Sequence, residues 1–136
     1  MAETRHDHRQ GWTIDKGPGF LRVRLKQPLR DCMSARAVQR SIESELVEHG
    51  FQKVLFDMRH VDEHDDEVRE EMWAWAEKSP HFHALALLIE SELSRIRANM
   101  TAVGRKARVR AFGSPLQAEM WLVRAQPKRP GYTGLV

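Results

Sequence analysis

Three short apolar runs, Lys53 to Asp57, Ala84 to Glu90 and Arg108 to Phe112, each lead into a stretch with helical periodicity. Parallel strands need a crossover between them, so this strand-then-helix rhythm points to a parallel sheet covered by helices. Val54-Leu55-Phe56 and Ala84 to Ile89 are apolar at successive positions, the pattern of strands buried on both faces. Arg108 to Phe112 instead alternates with basic side chains outward, which suits an edge strand.

The rest of the chain fits around that sheet. Trp12 to Asp15 and Phe20 to Lys26 alternate apolar and polar residues about Gly17-Pro18-Gly19, a hairpin with turn chemistry in its middle. Leu21, Val23 and Leu25 face one side there, and Arg22, Arg24 and Lys26 the other. Ser34 is placed to cap a helix running to about His49, with Ala35, Val38, Ile42 and Leu46 on one face and Gly50 as its stop. A second helix, from about His64 to Lys78, puts Val68, Met72, Trp75 and Ala76 on its buried stripe. Ser91 caps a third, whose Leu93, Ile96, Met100 and Val103 form an apolar stripe ended by Gly104. Ser114-Pro115-Leu116-Gln117 combines an N-cap serine, proline at the first helical position and glutamine three residues on. The helix it starts carries Leu116, Met120, Trp121, Leu122 and Val123 around most of its girth, so packing on several sides is expected. The fold class is therefore α/β: a mixed, mainly parallel sheet of about five strands with about four helices.

With 136 residues, 41% of them hydrophobic, the chain has material for one core, expected over residues 11–125. Residues 1–10 and 126–136 are polar or rich in proline and glycine and read as flexible tails. The 22 basic against 19 acidic residues make a mixed surface, which gives no indication of nucleic-acid binding. A single cysteine cannot form an intrachain disulfide, no transmembrane segment is present and the polar start is unlike a secretion signal, so a cytoplasmic protein is expected.

Chemistry-bearing residues concentrate after the first of the three runs. Asp57 and Arg59 follow the strand directly and suit an ion pair closing its end, or a grip on a polar ligand head at the carboxyl edge, where open α/β sheets place their sites. Asp62, His64, Asp65 and Asp66 lie where a helix begins, and carboxylates there are favoured by the helix dipole by roughly 0.3 to 1 kcal/mol each. The same run could alternatively present an acidic recognition surface. Trp73 lies about 140° around the helical wheel from Val68, off the core stripe, which marks it as a contact residue or as one packed against a neighbouring element. Seven histidines invite a metal reading, but no Cys-x-x-Cys or His-Glu-x-x-His spacing occurs, so neither metal nor cofactor is expected. No nucleophile accompanies the carboxylates, and no catalytic residue is assigned.

Val54-Leu-Phe-Asp-Met-Arg59, Met72-Trp-Ala-Trp75 and Ala111-Phe-Gly-Ser-Pro-Leu-Gln-Ala-Glu-Met-Trp-Leu122, in the element order above, resemble the STAS domain, the fold of bacterial anti-sigma-factor antagonists. The likeness is greatest to its SpoIIAA-like branch, itself similar to the CRAL-TRIO lipid-transfer fold. The resemblance implies a non-enzymatic module working by contact with a regulatory protein partner, with a homodimer as one form. It also implies, as an alternative, a small apolar ligand or lipid held in a pocket between sheet and helices. Met72, Met100, Met120, Trp75 and Trp121 are candidates to line that pocket or to form ordinary core. In the family's antagonists a serine at the start of the helix after the central strand is phosphorylated. His60 to Asp66 contains no serine or threonine, so a switch of that kind cannot operate there.

Overall fold

A computed structural model describes residues 11–61 and 64–126, together with the backbone of 5–7. Six strands form one sheet in chain order: β1 (Arg5–Asp7), β2 (Trp12–Lys16), β3 (Leu21–Leu25), β4 (Lys53–Asp57), β5 (Ala84–Leu88) and β6 (Val109–Phe112). The first two pairings are antiparallel and the remaining three parallel, so the expected mainly parallel mixed sheet is present. One strand was not anticipated. Arg5–Asp7, expected in a flexible tail, pairs with Trp12–Ile14 as an additional edge. Residues 1–4, 8–10 and 127–136 of the expected tails lie outside the described residues.

Gly17 makes the β2–β3 turn tight: its N–H donates to the Phe20 carbonyl at 2.8 Å, and a Cβ there would stand 2.5 Å from the Phe20 ring. Any side chain at position 17 would displace a core aromatic.

Four helices complete the described fold: α1 (Cys32–His49), α2 (Asp66–Lys78), α3 (Glu92–Arg105) and α4 (Pro115–Arg124). One start differs from expectation. Asp31 accepts from the Ser34 N–H at 2.9 Å, so a carboxylate three residues earlier caps α1 and Ser34 lies inside the helix. Asp65 accepts from the Val68 N–H at 3.0 Å and caps α2, which starts within the acidic run as expected. The caps expected at Ser91 and Ser114 are present. Gly50 closes α1 in the left-handed conformation at φ 70°.

Alternation along the strands sorts the core into two layers. Val23, Val54, Phe56 and Leu85 face α1, α2 and α3, while Leu55, Ala84, Ala86 and Leu88 face α4. The three crossover helices share one face, as successive right-handed connections in a sequentially ordered sheet require. On the other face, α4 is held by Ala118 and Leu122 and by the pair Arg22–Glu119 at 2.9 Å.

Two stripes contradict the expected packing. Leu116, Met120 and Val123 of α4 are exposed, because a single helix on this face has the sheet on one side only. The Leu93, Ile96, Met100 and Val103 stripe of α3 is also exposed, since that helix turns Asn99 and Ala102 to the sheet.

Candidate functional site: an apolar cleft between two helices

The parallel strands place the start of α2 and the start of α3 side by side above the carboxyl edge of β4 and β5. Between the two helices and the sheet lies a cavity of about 870 Å³. Phe56, Leu85, Leu87 and Val109 form its floor. Val68, Met72, Trp73 and Ala76 form one wall, and Ala98, Met100 and Thr101 the other. Met58, Arg59, Val61, Ile89 and Ser91, in the turns that follow β4 and β5, bound its mouth.

Three devices hold the walls. Glu43 of α1 accepts from the Trp75 indole N–H at 2.7 Å and the Ser79 hydroxyl at 2.5 Å, and also pairs with His81. That carboxylate fixes both the rotamer of Trp75 and the end of α2. Arg105 joins the helices at the end away from the mouth, with Nη1 and Nη2 on Glu70 at 3.0 and 2.8 Å and Nε on Glu77. Its guanidinium holds the Glu70 carboxyl below the usual carboxylate range. At the mouth, the buried His64 accepts the Leu29 N–H on Nε2 at 2.9 Å, and its carbonyl accepts from Arg69 at 2.8 Å. Burial is the leading cause that lowers the His64 pKa, followed by Asp65, which opposes it, and Arg69, which adds to it. An imidazole that accepts on Nε2 and is neutral carries its proton on Nδ1.

Asp57 is 2% exposed and belongs by alternation to the face of the sheet that α4 covers. Arg59 gives it a backbone N–H at 3.0 Å and a side-chain fork at 3.0 and 2.9 Å, and Arg24 stands at 3.5 Å. Burial disfavours the carboxylate, but these donors outweigh burial and its pKa falls below the ordinary value. Two of the five guanidinium donors of Arg59 are thereby committed, and the arginine itself lines the cleft.

No protein-family model matches the sequence, and no curated protein matches it. Among solved structures the chain is similar to an uncharacterised protein of the DUF3478 family from Shewanella loihica, described as having a SpoIIAA-like fold. The match has a TM-score of 0.62 at 14% identity, and covers 90% of this chain and 95% of the other. The fold is SpoIIAA-like.

Within this SpoIIAA-like frame, the residues singled out by sequence separate into three groups. Arg59, His64 and Trp73 line the cleft, and Asp57 orients Arg59. Asp65 caps α2, while Asp66 is its solvent-facing first residue, in contact with Arg69. Asp62 lies outside the described residues. Trp73, placed by the wheel on an outer flank, is half-buried on the cleft wall, because α3 extends the apolar layer beyond the strip a lone helix would need. Of the five candidate pocket residues, Met72, Met100 and Trp75 line the cleft, whereas Met120 and Trp121 lie on α4 across the sheet. Sequence reasoning missed Leu29, Arg69, Arg97 and Thr101 as lining residues. Only Arg69 carried a local signal, one turn past an N-cap and beside the acidic run; the others reach the cleft from distant elements.

The described residues include one further group with metal-ligating types, Glu45, Glu48 and His49 on α1, where His49 pairs with Glu45 at 3.1 Å. No described helix is long and apolar enough to cross a membrane.

Proposed function

We propose that this SpoIIAA-like chain is a non-enzymatic binding module that takes a small amphipathic ligand, apolar body inward and acidic end at the mouth, into the α2–α3 cleft. The observation that carries this reading is the cavity itself. About 870 Å³ between two helices and a sheet is the size of a small-ligand site and far larger than the gaps of a packed core. Its floor and walls are aliphatic, aromatic and methionine side chains, which adapt to irregular apolar shapes. Three arginines, Arg59, Arg69 and Arg97, line it with one carboxylate, Glu90; Asp57 and Asp66 offset Arg59 and Arg69 from outside the lining, and the guanidinium donors of Arg59 that Asp57 does not take suit an acidic ligand end. Among the described residues, no nucleophile with a positioned base lines the cleft, which fits uptake better than turnover.

A regulatory role by protein contact is the second reading, supported by Trp73, which is only partly buried on the cleft wall, where an apolar side chain of a partner would enter. The test is native mass spectrometry of the freshly purified chain, followed by titration with the fluorescent probe 1-anilinonaphthalene-8-sulfonate, an apolar body with an anionic head. The ligand reading expects a retained small-molecule mass and saturable one-site probe binding. A bare protein without probe binding, together with Trp73-dependent capture of a protein, would replace it with the contact reading.

A further inference from the structure

Two adjacent turns bound the mouth of the cleft, and the sheet holds them in register. Asp57 pairs with Leu88 between β4 and β5, and the Met58 N–H donates to the Leu88 carbonyl at 2.9 Å, so Arg59 and Glu90, each two residues further on, stand in neighbouring turns. Arg95 of α3 fixes the second turn, donating from Nη1 to the Ile89 and Glu90 carbonyls at 2.9 and 2.7 Å. Ser91 follows as the N-cap of α3, its hydroxyl oxygen accepting the Ser94 N–H at 3.2 Å.

Arg59 is aimed within this frame by its own chain. The buried Asp57 takes its Nε and Nη2 at 3.0 and 2.9 Å, which is one edge of the planar guanidinium. The other edge carries the second Nη2 hydrogen and one on Nη1, two parallel donors. Among the described residues nothing else bonds to Arg59, and the residue lines the cavity. Swinging it away from the mouth would strip a buried carboxylate of its shortest side-chain bonds, so the arginine stays where it is. The other two arginines of the lining are committed: Arg69 to the His64 carbonyl and Asp66, and Arg97 to partners of its own.

The shape of that free edge and the charge around it choose the ligand end. We propose that the cleft takes an apolar monocarboxylic acid, whose single planar carboxylate sits on the Nη1–Nη2 fork of Arg59; the proposal rests on the reading of the cleft as a ligand site. Two parallel N–H donors match the two oxygens of a carboxylate. Arg24 and Arg59 share Asp57, which leaves one positive charge for a ligand, and the exposed Glu90 stands in the next turn. One negative charge meets that balance. The second charge of a phosphate monoester would face Asp57 and Glu90 without a cation to pair with. Ser91 and Ser94, which line the cavity at the start of α3, add hydroxyl donors and the positive end of a helix dipole from the turn beside Arg59.

Isothermal titration calorimetry of the full chain at pH 8 with decanoate, decanol and decyl phosphate, one apolar chain with three different ends, tests it. Decanoate is expected to bind at least about tenfold more tightly than either of the others. In Arg59→Met its affinity should fall to that of decanol, while decanol binding holds and shows that the cleft is intact. Arg59→Lys keeps a cation for Asp57 but has no second fork, so it should lose the preference too, and it decides the matter where Arg59→Met misfolds. Decyl phosphate binding as tightly as decanoate would overturn the proposal and leave an acidic-ended ligand in the cleft. Decanol binding as tightly as decanoate would overturn it by removing the acidic end, and a decanoate preference that survives both variants would overturn the assignment to Arg59. Absence of binding by all three would overturn the ligand reading of the cleft together with this inference.

Discussion

The imidazole of His64 and the backbone N–H of Leu29 meet at 2.9 Å, 35 residues apart in the chain, and this bond closes the cleft between the segment before α1 and the start of α2. It exists only while Nε2 has a lone pair to offer.

The pKa of His64 is lowered by burial, so below the unfolded value of about 6.5 the unfolded chain binds the proton more readily than the folded one. Stability should be complete above that pH and decline as pH falls from it toward the folded value. His83, also lowered by burial and by Lys53 and Arg108, contributes with the same sign. Melting temperatures at successive pH values should show this decline, and His64→Gln, which keeps a neutral acceptor for Leu29, should remove part of it. An unaltered profile in the variant would show that the bond does not carry the dependence.

Asp57→Asn should destabilise the fold by about 1–3 kcal/mol, the range for removing one partner of a buried, hydrogen-bonded group, because Arg59 and Arg24 lose the carboxylate between them. The lowered pKa gives the wild type a stability that is full above about pH 3.9 and lost as pH falls further. Urea unfolding at neutral and acid pH checks both statements: the difference between variant and wild type should shrink in acid.

Ala98→Trp should fill the cleft without touching the sheet, since Ala98 projects from the α3 wall. Probe affinity is expected to fall by at least about tenfold while the melting temperature holds or rises, because a filled void regains packing contacts. Undiminished one-site binding would place the probe elsewhere.

Arg105→Met removes the fork that ties α3 to Glu70 and Glu77 but keeps an apolar stem. Hydrogen exchange measured by mass spectrometry should quicken along the second half of α2 and stay unchanged in β4 and β5. Equal exchange throughout would mean that packing alone holds the two helices together.

Trp73 shows how far helical periodicity reaches. The wheel set it off the stripe of Val68, Met72, Trp75 and Ala76; Val68 is buried beneath α2 as expected, but Met72, Trp75 and Ala76 are only partly buried, as Trp73 is, because the cleft opens beside them. Whether an off-stripe residue meets water or another helix depends on where the neighbouring helix lands, which no local pattern specifies. The same limit explains α3, whose spacing announced a buried face. Its backbone-binding Asn99 and Arg95 act across a sheet edge that exists only in the folded molecule. Asp31, not Ser34, caps α1, a distinction between neighbouring polar residues that only backbone geometry resolves.

The sequence by itself determined the strand-and-helix order, the parallel core and two of the helix caps, because these rest on interactions between residues close in the chain and on a period that matches one structure. Tertiary structure alone decided that α2 and α3 stand apart over Leu87, that His64 turns inward to Leu29, and that the α3 stripe faces out. Each of those depends on contacts between residues distant in sequence. Their positions follow from how three helices share one sheet face, and that division of space is set by the whole packed layer.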